Sequence, residues 1–337
     1  MGQRANLVLV REEGFDLYYT HWAANTLPND LFWGPSHAVR FIEAQRGREQ
    51  GAEWLDEVWA EGGAVLDPGR RVLLLYGGED VLHDVPRRRV HLELMRERWS
   101  GWDLGWAHEG IADLAEYVGV PRETVLVPSD AVEPDWTYEL TPPKDRSWTS
   151  AVVSVLDGVG QLRLLPTDDR LEDAVTDPRF LPKALSAAGP DRCDLGDWTS
   201  SFPGSGAHVD VRRRRLELWN APDKPDVIAR ATRALPEGWT FAWHRDRFEA
   251  QLESTDGALA FPAFDDAELV DRCRRSLLTP HRPIDVLGIM GRVAGEGSKV
   301  EVNPYALRDD RPAVDPDSLA RLFEEAVAAR VSRWIRG

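Results

Sequence analysis

Short apolar runs separated by turn residues extend over most of this chain. Residues 6–10 and 15–19 form two such runs, and Glu12-Glu13-Gly14 between them is typical of a hairpin turn. Pro35 predicts the start of a helix, because proline suits the first helical position. Beyond this helix the pattern predicts a second hairpin, a helix, a strand and a short helix, over residues 64–76, 86–99, 101–107 and 111–118.

The same order of elements recurs in the second half of the chain. Residues 35–76 match residues 178–219 at a constant offset of 143 without a gap, and about nine positions are identical. The identical pairs include Gly63/Gly206, Asp67/Asp210 and Leu75/Leu218. We therefore predict an internally duplicated α+β protein with two ββαββαβ modules, each an antiparallel sheet with helices on one face. The modules are expected to pack as a pseudo-dimer about an approximate two-fold axis.

Composition shifts along the chain predict its domain boundaries. We expect a first module, a proline-rich surface linker, a second module and a C-terminal helical cap, over residues 1–127, 128–147, 148–262 and 263–337. Within the cap, residues 266–278 predict an amphipathic helix with Asp265 as its N-cap, and residues 315–334 predict a C-terminal helix. Apolar runs at 284–287 and 299–302 flank a glycine-rich turn between these two helices.

Composition and charge exclude several classes of protein. The 337 residues include 14 Trp and 10 Phe and are 42% hydrophobic, which is enough for a packed interior and excludes wholesale disorder. A net charge of −16 argues against nucleic-acid binding, because phosphate contacts need clustered Lys and Arg. No apolar run reaches the roughly 18 residues needed to span a bilayer, and two cysteines cannot form a disulfide framework. With no signal-peptide pattern at the start, we expect a cytoplasmic protein without membrane or nucleic-acid partners.

Comparison of the two copies separates structural from functional candidates. A residue found in both copies serves the fold that they share, so the pairs Trp102/Trp239 and Trp106/Trp243 are predicted to be core residues on one face of a strand. Polar residues found in the first copy alone are dispensable for that fold, and they are therefore better candidates for a site. The arginine runs 87–89 and 212–215 and the acidic cluster around 168–173 are interpreted as solvated faces or intramolecular ion pairs.

Four segments of the first copy contain residues suited to chemistry that the second copy lacks. The candidate acid/base residues are His21, Glu61, Glu79, His108 and Glu109. The candidate ligand-binding residues are Trp22, Trp33, Gly77, Gly78 and Asp80. Their spacing is too wide for a known metal motif, and no phosphate loop or nucleophile elbow occurs, so we predict neither a metal nor a cofactor.

Two functions fit these observations. The absence of a catalytic signature favours a binding protein for a small polar ligand or a protein partner, with a cleft in the first module lined by Trp, His and acidic residues. The alternative is a hydrolase acting on a small polar substrate, with the histidines and glutamates of the first module as acid/base groups. The sequence leaves open whether the protein is an enzyme.

Overall fold

The computed structural model describes residues 3–127, 139–279, 285, 287–288, 291, 307, 311–312 and 315–336. The chain divides into two compact units. Unit 1 contains residues 1–80, 90–126 and 270–337, and unit 2 contains residues 81–89 and 127–269. Both units are discontinuous in sequence, so the division differs from a simple succession of modules along the chain.

The described residues form an α+β structure. Its strands are β1 (Ala5–Val10), β2 (Phe15–Thr20), β3 (Arg46–Gly47), β4 (Gly62–Asp67), β5 (Val72–Tyr76), β6 (Asp103–Trp106), β7 (Ala151–Leu156), β8 (Leu162–Thr167), β9 (Cys193–Asp194), β10 (Ser205–Asp210), β11 (Arg215–Asn220), β12 (Thr240–Trp243) and β13 (Leu259–Ala260). Its α-helices are α1 (Leu27–Leu31), α2 (Pro35–Glu43), α3 (Glu79–Leu82), α4 (Val85–Arg98), α5 (Ile111–Tyr117), α6 (Leu171–Ala174), α7 (Phe180–Ser186), α8 (Val227–Ala234), α9 (Glu249–Ser254), α10 (Asp266–Leu278) and α11 (Pro316–Arg336).

The two large sheets share the same order over five strands, and the sheet of unit 1 has β3 as a sixth strand. Unit 1 contains β3-β2-β1-β4-β5-β6, and unit 2 contains β8-β7-β10-β11-β12. In each sheet a hairpin strand pairs in parallel with the first strand of the next hairpin, as β1 does with β4 and β7 does with β10. The hairpin registers also correspond, since Asp67 lies opposite Val72 and Asp210 lies opposite Arg215.

The prediction of antiparallel sheets with helices on one face is wrong in both respects. The sheets are mixed, because the chain leaves each first hairpin through helices and returns on the other side of its first strand, parallel to it. In unit 2, Val153 and Phe180 of α7 belong to the core cluster on one face. On the opposite face, Gln251 of α9 donates hydrogen bonds to the carbonyl oxygens of Val152 and Ala207, at 3.2 and 2.9 Å. Helices therefore cover both faces of this sheet.

Two glycines that are paired in the sequence match have the same packing role in the two sheets. A Cβ at Gly63 would lie 2.6 Å from Leu114 Cδ1 in α5 and 2.9 Å from the Tyr76 ring. A Cβ at Gly206 would lie 2.0 Å from Gln251 Oε1 in α9 and 2.3 Å from the Trp219 indole nitrogen. Each glycine lets a helix approach its sheet beside a large aromatic side chain.

Helix α11 and most of α10 belong to unit 1. Helix α10 begins after Asp265, whose Oδ1 accepts a hydrogen bond from the backbone N–H of Ala267 at 3.0 Å, as the sequence predicts for a cap. In α11, Phe323 is fully buried, with its ring centroid 6.4 Å from that of Phe32. The predicted glycine-rich turn lies almost entirely outside the described residues.

Three expectations about exposure need correction. Leu140, in the segment predicted as a surface linker, is buried in the core of unit 2, while residues 128–138 of that segment lie outside the described residues. Trp102, Trp106, Trp239 and Trp243, predicted as core, are only partly buried. Arg88 and Glu172, interpreted as members of solvated charge runs, are 0% and 3% exposed. Among the described residues, no helix combines the length and apolar character required to cross a bilayer.

Candidate functional site

A cavity of about 340 Å³ lies within unit 1 between α1, α2, α10 and the start of α11. We call it the Trp33 cavity. Its described lining residues are Thr26, Asn29, Asp30, Trp33, His37, Phe41, Ser276, Leu277, Leu278, Thr279, Arg311, Pro312, Pro316 and Leu319. The wall combines aromatic and aliphatic side chains with a few polar groups, which is the usual character of a small-molecule site.

The connection between α1 and α2 positions the aromatic wall. Gly34 joins the two helices at φ +103°, a conformation that favours glycine, and Pro35 follows at the first position of α2. Trp33 is 9% exposed and packs edge-to-face on Phe32, with ring centroids 5.0 Å apart. Phe41, two turns along α2, contributes a second ring to the same cavity.

The polar wall is built around Arg311 and Asp30. The Arg311 guanidinium forms an ion pair with Asp30 at 3.2 Å, and it donates to Thr26 Oγ1 at 2.7 Å and to the Trp22 carbonyl oxygen at 3.2 Å. Thr26 Oγ1 in turn donates to Asp30 at 2.7 Å. These groups therefore satisfy one another's hydrogen-bonding capacity within the wall of the cavity.

His37 is a further titratable side chain of the lining. Burial, with a smaller contribution from the nearby Arg40 charge, lowers the pKa of His37 below its usual value. The imidazole is therefore neutral near pH 7 and offers one donor and one acceptor. Ser276, also in the lining, accepts a hydrogen bond from Asn29 Nδ2 at 2.8 Å and donates to Asp80.

The predicted acid/base residues lie along one side of the unit 1 sheet, where its strands begin or end. Strands β2, β5 and β6 end at this edge and β4 begins there, so His21, Glu61, Glu79, His108 and Glu109 follow or precede strand ends on the same side. However, β2 and β6 are four strand spacings apart, or about 19 Å. A shared edge therefore does not place these side chains in one site.

Each of the predicted residues with a resolved contact has a different partner. His21 Nδ1 is hydrogen-bonded to the Tyr19 hydroxyl at 2.7 Å, and Glu61 accepts from the Arg4 backbone N–H at 2.7 Å. Glu79 accepts from Asn25 Nδ2 at 3.0 Å, and Glu109 forms an ion pair with Arg122 at 2.8 Å. The hydrolase alternative stays a prediction.

The predicted ligand-binding residues are also divided. Trp33 lines the Trp33 cavity, and the Trp22 carbonyl oxygen accepts a hydrogen bond from Arg311. Asp80 does not line the cavity but accepts a hydrogen bond from the lining residue Ser276. Gly77 and Gly78 permit a close approach to the chain's own backbone, since a Cβ at Gly77 would lie 2.9 Å from Gly62 Cα and the Gly78 N–H donates to the Ala24 carbonyl at 2.8 Å.

Sequence reasoning missed three important residues of the cavity. His37 stands where the second copy has Phe180, so the comparison of copies that selected the other candidates would also have selected it. Asp30 precedes the matched block and offered a weaker signal of the same kind. Arg311 offered no such signal in the sequence, because it lies 281 positions from Asp30.

In the described part of the chain, no group of three His, Cys, Asp or Glu side chains is arranged to hold a metal. No known protein family, curated protein or solved structure matches this chain.

Proposed function

We propose that this protein binds a small polar ligand with an apolar or aromatic portion in the Trp33 cavity. One observation carries the proposal: a cavity of ligand size has an aromatic wall and a polar wall whose groups hydrogen-bond to one another. Trp33, Phe41 and Leu319 would bury the apolar portion of the ligand. His37 and the hydroxyl of Thr279 would hydrogen-bond its polar portion.

We also propose that unit 2 is a second copy of the sheet of unit 1 that lacks this site. The shared strand order and corresponding hairpin registers support a common origin. At the offset of the sequence match, Trp33 and His37 correspond to Thr176 and Phe180. The ligand-binding side chains are thus absent from the copy that retains the fold.

Filling the cavity tests the proposed function. Leu319 is a partly buried lining residue of α11, and Leu319→Trp would place an indole in the space that a ligand needs. The wild-type chain and this variant are screened by thermal shift against amino acids, sugars, nucleosides and acyl compounds. A ligand that binds the native state alone stabilises it by about 2.7 kcal/mol at one hundred times its Kd. We expect at least one compound to stabilise the wild type, and the variant to lose that shift.

Val331→Trp is the matched control. Val331 lies on the same helix and is 51% exposed, so the same substitution there leaves the cavity open. This control should retain the ligand-induced shift. A ligand that still stabilises Leu319→Trp binds elsewhere, and a screen without any stabilising compound would overturn the small-ligand function in favour of a protein partner.

A further inference from the structure

One face of the unit 2 sheet contains a row of polar side chains. Ser154 of β7 lies in register with His208 of β10, and His208 lies opposite Glu217 of β11. Paired residues of neighbouring strands present their side chains on the same face, so these three groups are neighbours. His244, which follows β12, extends the row, because its Nε2 lies 3.0 Å from Glu217 Oε2. We call these four residues the polar row.

The corresponding row of the unit 1 sheet is apolar. Val8 of β1 lies in register with Val65 of β4, and Val65 lies opposite Leu74 of β5. Ala107 follows β6 in the position that His244 occupies after β12. Val8, Val65 and Ala107 belong to one hydrophobic core cluster, and Leu74 packs against it. This strand order therefore does not require the polar row, and burying polar groups there has a cost that the apolar row avoids.

Gln251 connects the polar row to helix α9. Its Nε2 donates to Ser154 Oγ at 3.0 Å and to the carbonyl oxygens of Val152 and Ala207 at 3.2 and 2.9 Å. Its Oε1 accepts a hydrogen bond from Trp219 Nε1 at 2.7 Å. Gln251 is 3% exposed, so these hydrogen bonds attach α9 to the centre of the sheet in an environment shielded from water.

His208 contacts the serine to which Gln251 donates. Its Nδ1 lies 2.9 Å from Ser154 Oγ, and the Ser154 hydroxyl also lies 3.2 Å from the Ala207 carbonyl oxygen. A neutral imidazole can accept the serine proton at Nδ1, whereas a protonated imidazole must donate from Nδ1 to Ser154 Oγ. The serine hydroxyl then has to donate to the Ala207 carbonyl oxygen, which already accepts from Gln251. Protonation of His208 therefore rearranges the hydrogen bonds around Gln251.

Burial is the main influence on the charge of His208, which is 5% exposed. It lowers the pKa of the imidazole, the Arg213 charge acts in the same direction, and the Glu217 and Asp210 charges act against it. The groups that β7 and α9 place around Nδ1, a serine hydroxyl and a side-chain amide, are uncharged. The imidazole is therefore neutral near pH 7 and takes up a proton on acidification at a cost to the folded state.

Glu217 compensates a charged His208 only in part. The hydrogen bond with His244 lowers the pKa of Glu217, so this carboxylate stays ionised on mild acidification. However, Glu217 also forms an ion pair with Arg215. Its negative charge thus has two partners before His208 takes up a proton.

We propose that His208 is an acid-sensitive switch that controls the attachment of α9 to the unit 2 sheet. In the neutral state, the Ser154 hydroxyl connects the imidazole to Gln251. On protonation, a buried cation forms in the polar row and the hydrogen bonds at Ser154 rearrange, so α9 separates from the sheet more readily. This switch lies in unit 2 and does not depend on the Trp33 cavity.

Hydrogen exchange of the full chain between pH 5 and pH 7 tests the proposal. The ordinary pKa of histidine is about 6.5, and because the pKa of folded His208 is lower, opening takes up a proton below that pH. The stability that the neutral imidazole contributes is present above about pH 6.5 and is lost as the pH falls below it. We expect the protection factors of α9 amides, corrected for the intrinsic pH dependence of exchange, to fall severalfold from pH 7 to pH 5.

His208→Val introduces the residue that unit 1 has at this position in the register. The Ser154 hydroxyl keeps the Ala207 carbonyl oxygen as its acceptor in this variant. We expect its α9 protection factors to change far less between pH 7 and pH 5 than those of the wild type. His208→Asn is a second uncharged variant that keeps a polar group beside Ser154, and it should behave in the same way.

His37→Asn is the matched control, because burial also lowers the pKa of His37 but this histidine belongs to unit 1. It should retain the wild-type fall in α9 protection. Burial raises the pKa of Glu172 and Asp223, which makes unit 2 less stable as the pH rises. The His208 effect is therefore measured as the difference between wild type and variant at each pH. The same pH dependence of α9 protection in the wild type and in both His208 variants would overturn the proposal.

Discussion

At the scale of single residues, unit 2 contains carboxyl groups that are shielded from water. Glu172 is 3% exposed, and burial raises its pKa, with the neighbouring Asp173 charge acting in the same direction. Burial also raises the pKa of Asp223 to about 7, and the Glu172 charge adds to this effect. Lys224 and Arg170 form ion pairs with Asp173, which compensate part of the negative charge. Unit 2 thus contains one buried acid, Glu172, and one partly buried acid, Asp223, and the cost of burying them depends on pH.

Asp223→Asn should stabilise unit 2 above pH 7. In the folded chain the Asp223 carboxyl group keeps its proton up to about pH 7, whereas in the unfolded chain it loses its proton near pH 4. Unfolding therefore releases a proton between these pH values, and stability falls as pH rises through this window. We expect the variant to gain on the order of 2–4 kcal/mol at pH 8 and almost nothing at pH 4.

Thermal unfolding of the wild type and Asp223→Asn across this pH range checks the expectation. Asp191→Asn, at an exposed residue of unit 2, is the control and should change stability little at any pH. A gain from Asp223→Asn that is the same at pH 4 and pH 8 would contradict an origin in ionisation.

At the scale of secondary-structure elements, the start of α4 contributes to the core of unit 2. Val85 is fully buried in a cluster with Trp219, Ala221 and Phe248. Arg88 follows one turn later with no exposed surface and donates to the Leu82 and Ala221 carbonyl oxygens at 3.1 and 2.7 Å. Its ion pair with Asp246 at 3.0 Å completes a buried network. The arginine run 87–89 thus contains a buried structural cation, Arg88, which composition alone does not reveal.

Arg88→Ala should destabilise unit 2 by about 3 kcal/mol or more, because it removes the donor to two carbonyl oxygens and the cation nearest to Asp246. Arg89→Ala is the neighbouring control. Its side chain is 37% exposed, and its contacts with Glu249, the Asp246 carbonyl oxygen and the Phe248 ring lie near solvent, so their loss should cost clearly less than that of Arg88. Hydrogen exchange of unit 2 peptides measures both effects. Similar exchange in the two variants would contradict the buried network.

Most elements could be predicted from local patterns, and their pairing could not. Helices α4, α10 and α11 lie within a few residues of the predicted ranges, because amphipathic periodicity, caps and prolines act over one or two turns. The hairpins were predicted for the same reason. The parallel pairing of β1 with β4 depends on the path of the helices between them, for which the strand sequences contain no local signal.

At the scale of the whole molecule, each unit is assembled from distant parts of the chain. Unit 1 takes in residues 270–337, and its core contacts include Phe32 with Phe323. Arg330 forms an ion pair with Glu93 at 2.8 Å, and Asn29 donates to Ser276 at 2.8 Å. Helix α11 and most of α10 therefore belong to unit 1.

A fragment of residues 1–127 should be loosely packed when expressed alone. Without α10 and α11 it would expose Phe32, Trp33 and other residues of the Trp33 cavity, so we expect it to bind a hydrophobic dye and to exchange its amide protons faster than the same residues in the full chain. Co-expression with residues 263–337 should reverse both effects. Native-like exchange in the fragment alone would show that the C-terminal helices are dispensable.

The sequence by itself determined most of the elements and the α+β class. These properties depend on periodicity, turn residues and glycines such as Gly63 and Gly206, which act over short distances in the chain. Only the tertiary structure decided which strands are parallel, which charges are buried and where the Trp33 cavity lies. Arg311 meets Asp30 across 281 positions of the chain. Contacts of this kind depend on how the whole chain packs, so no local pattern contains them.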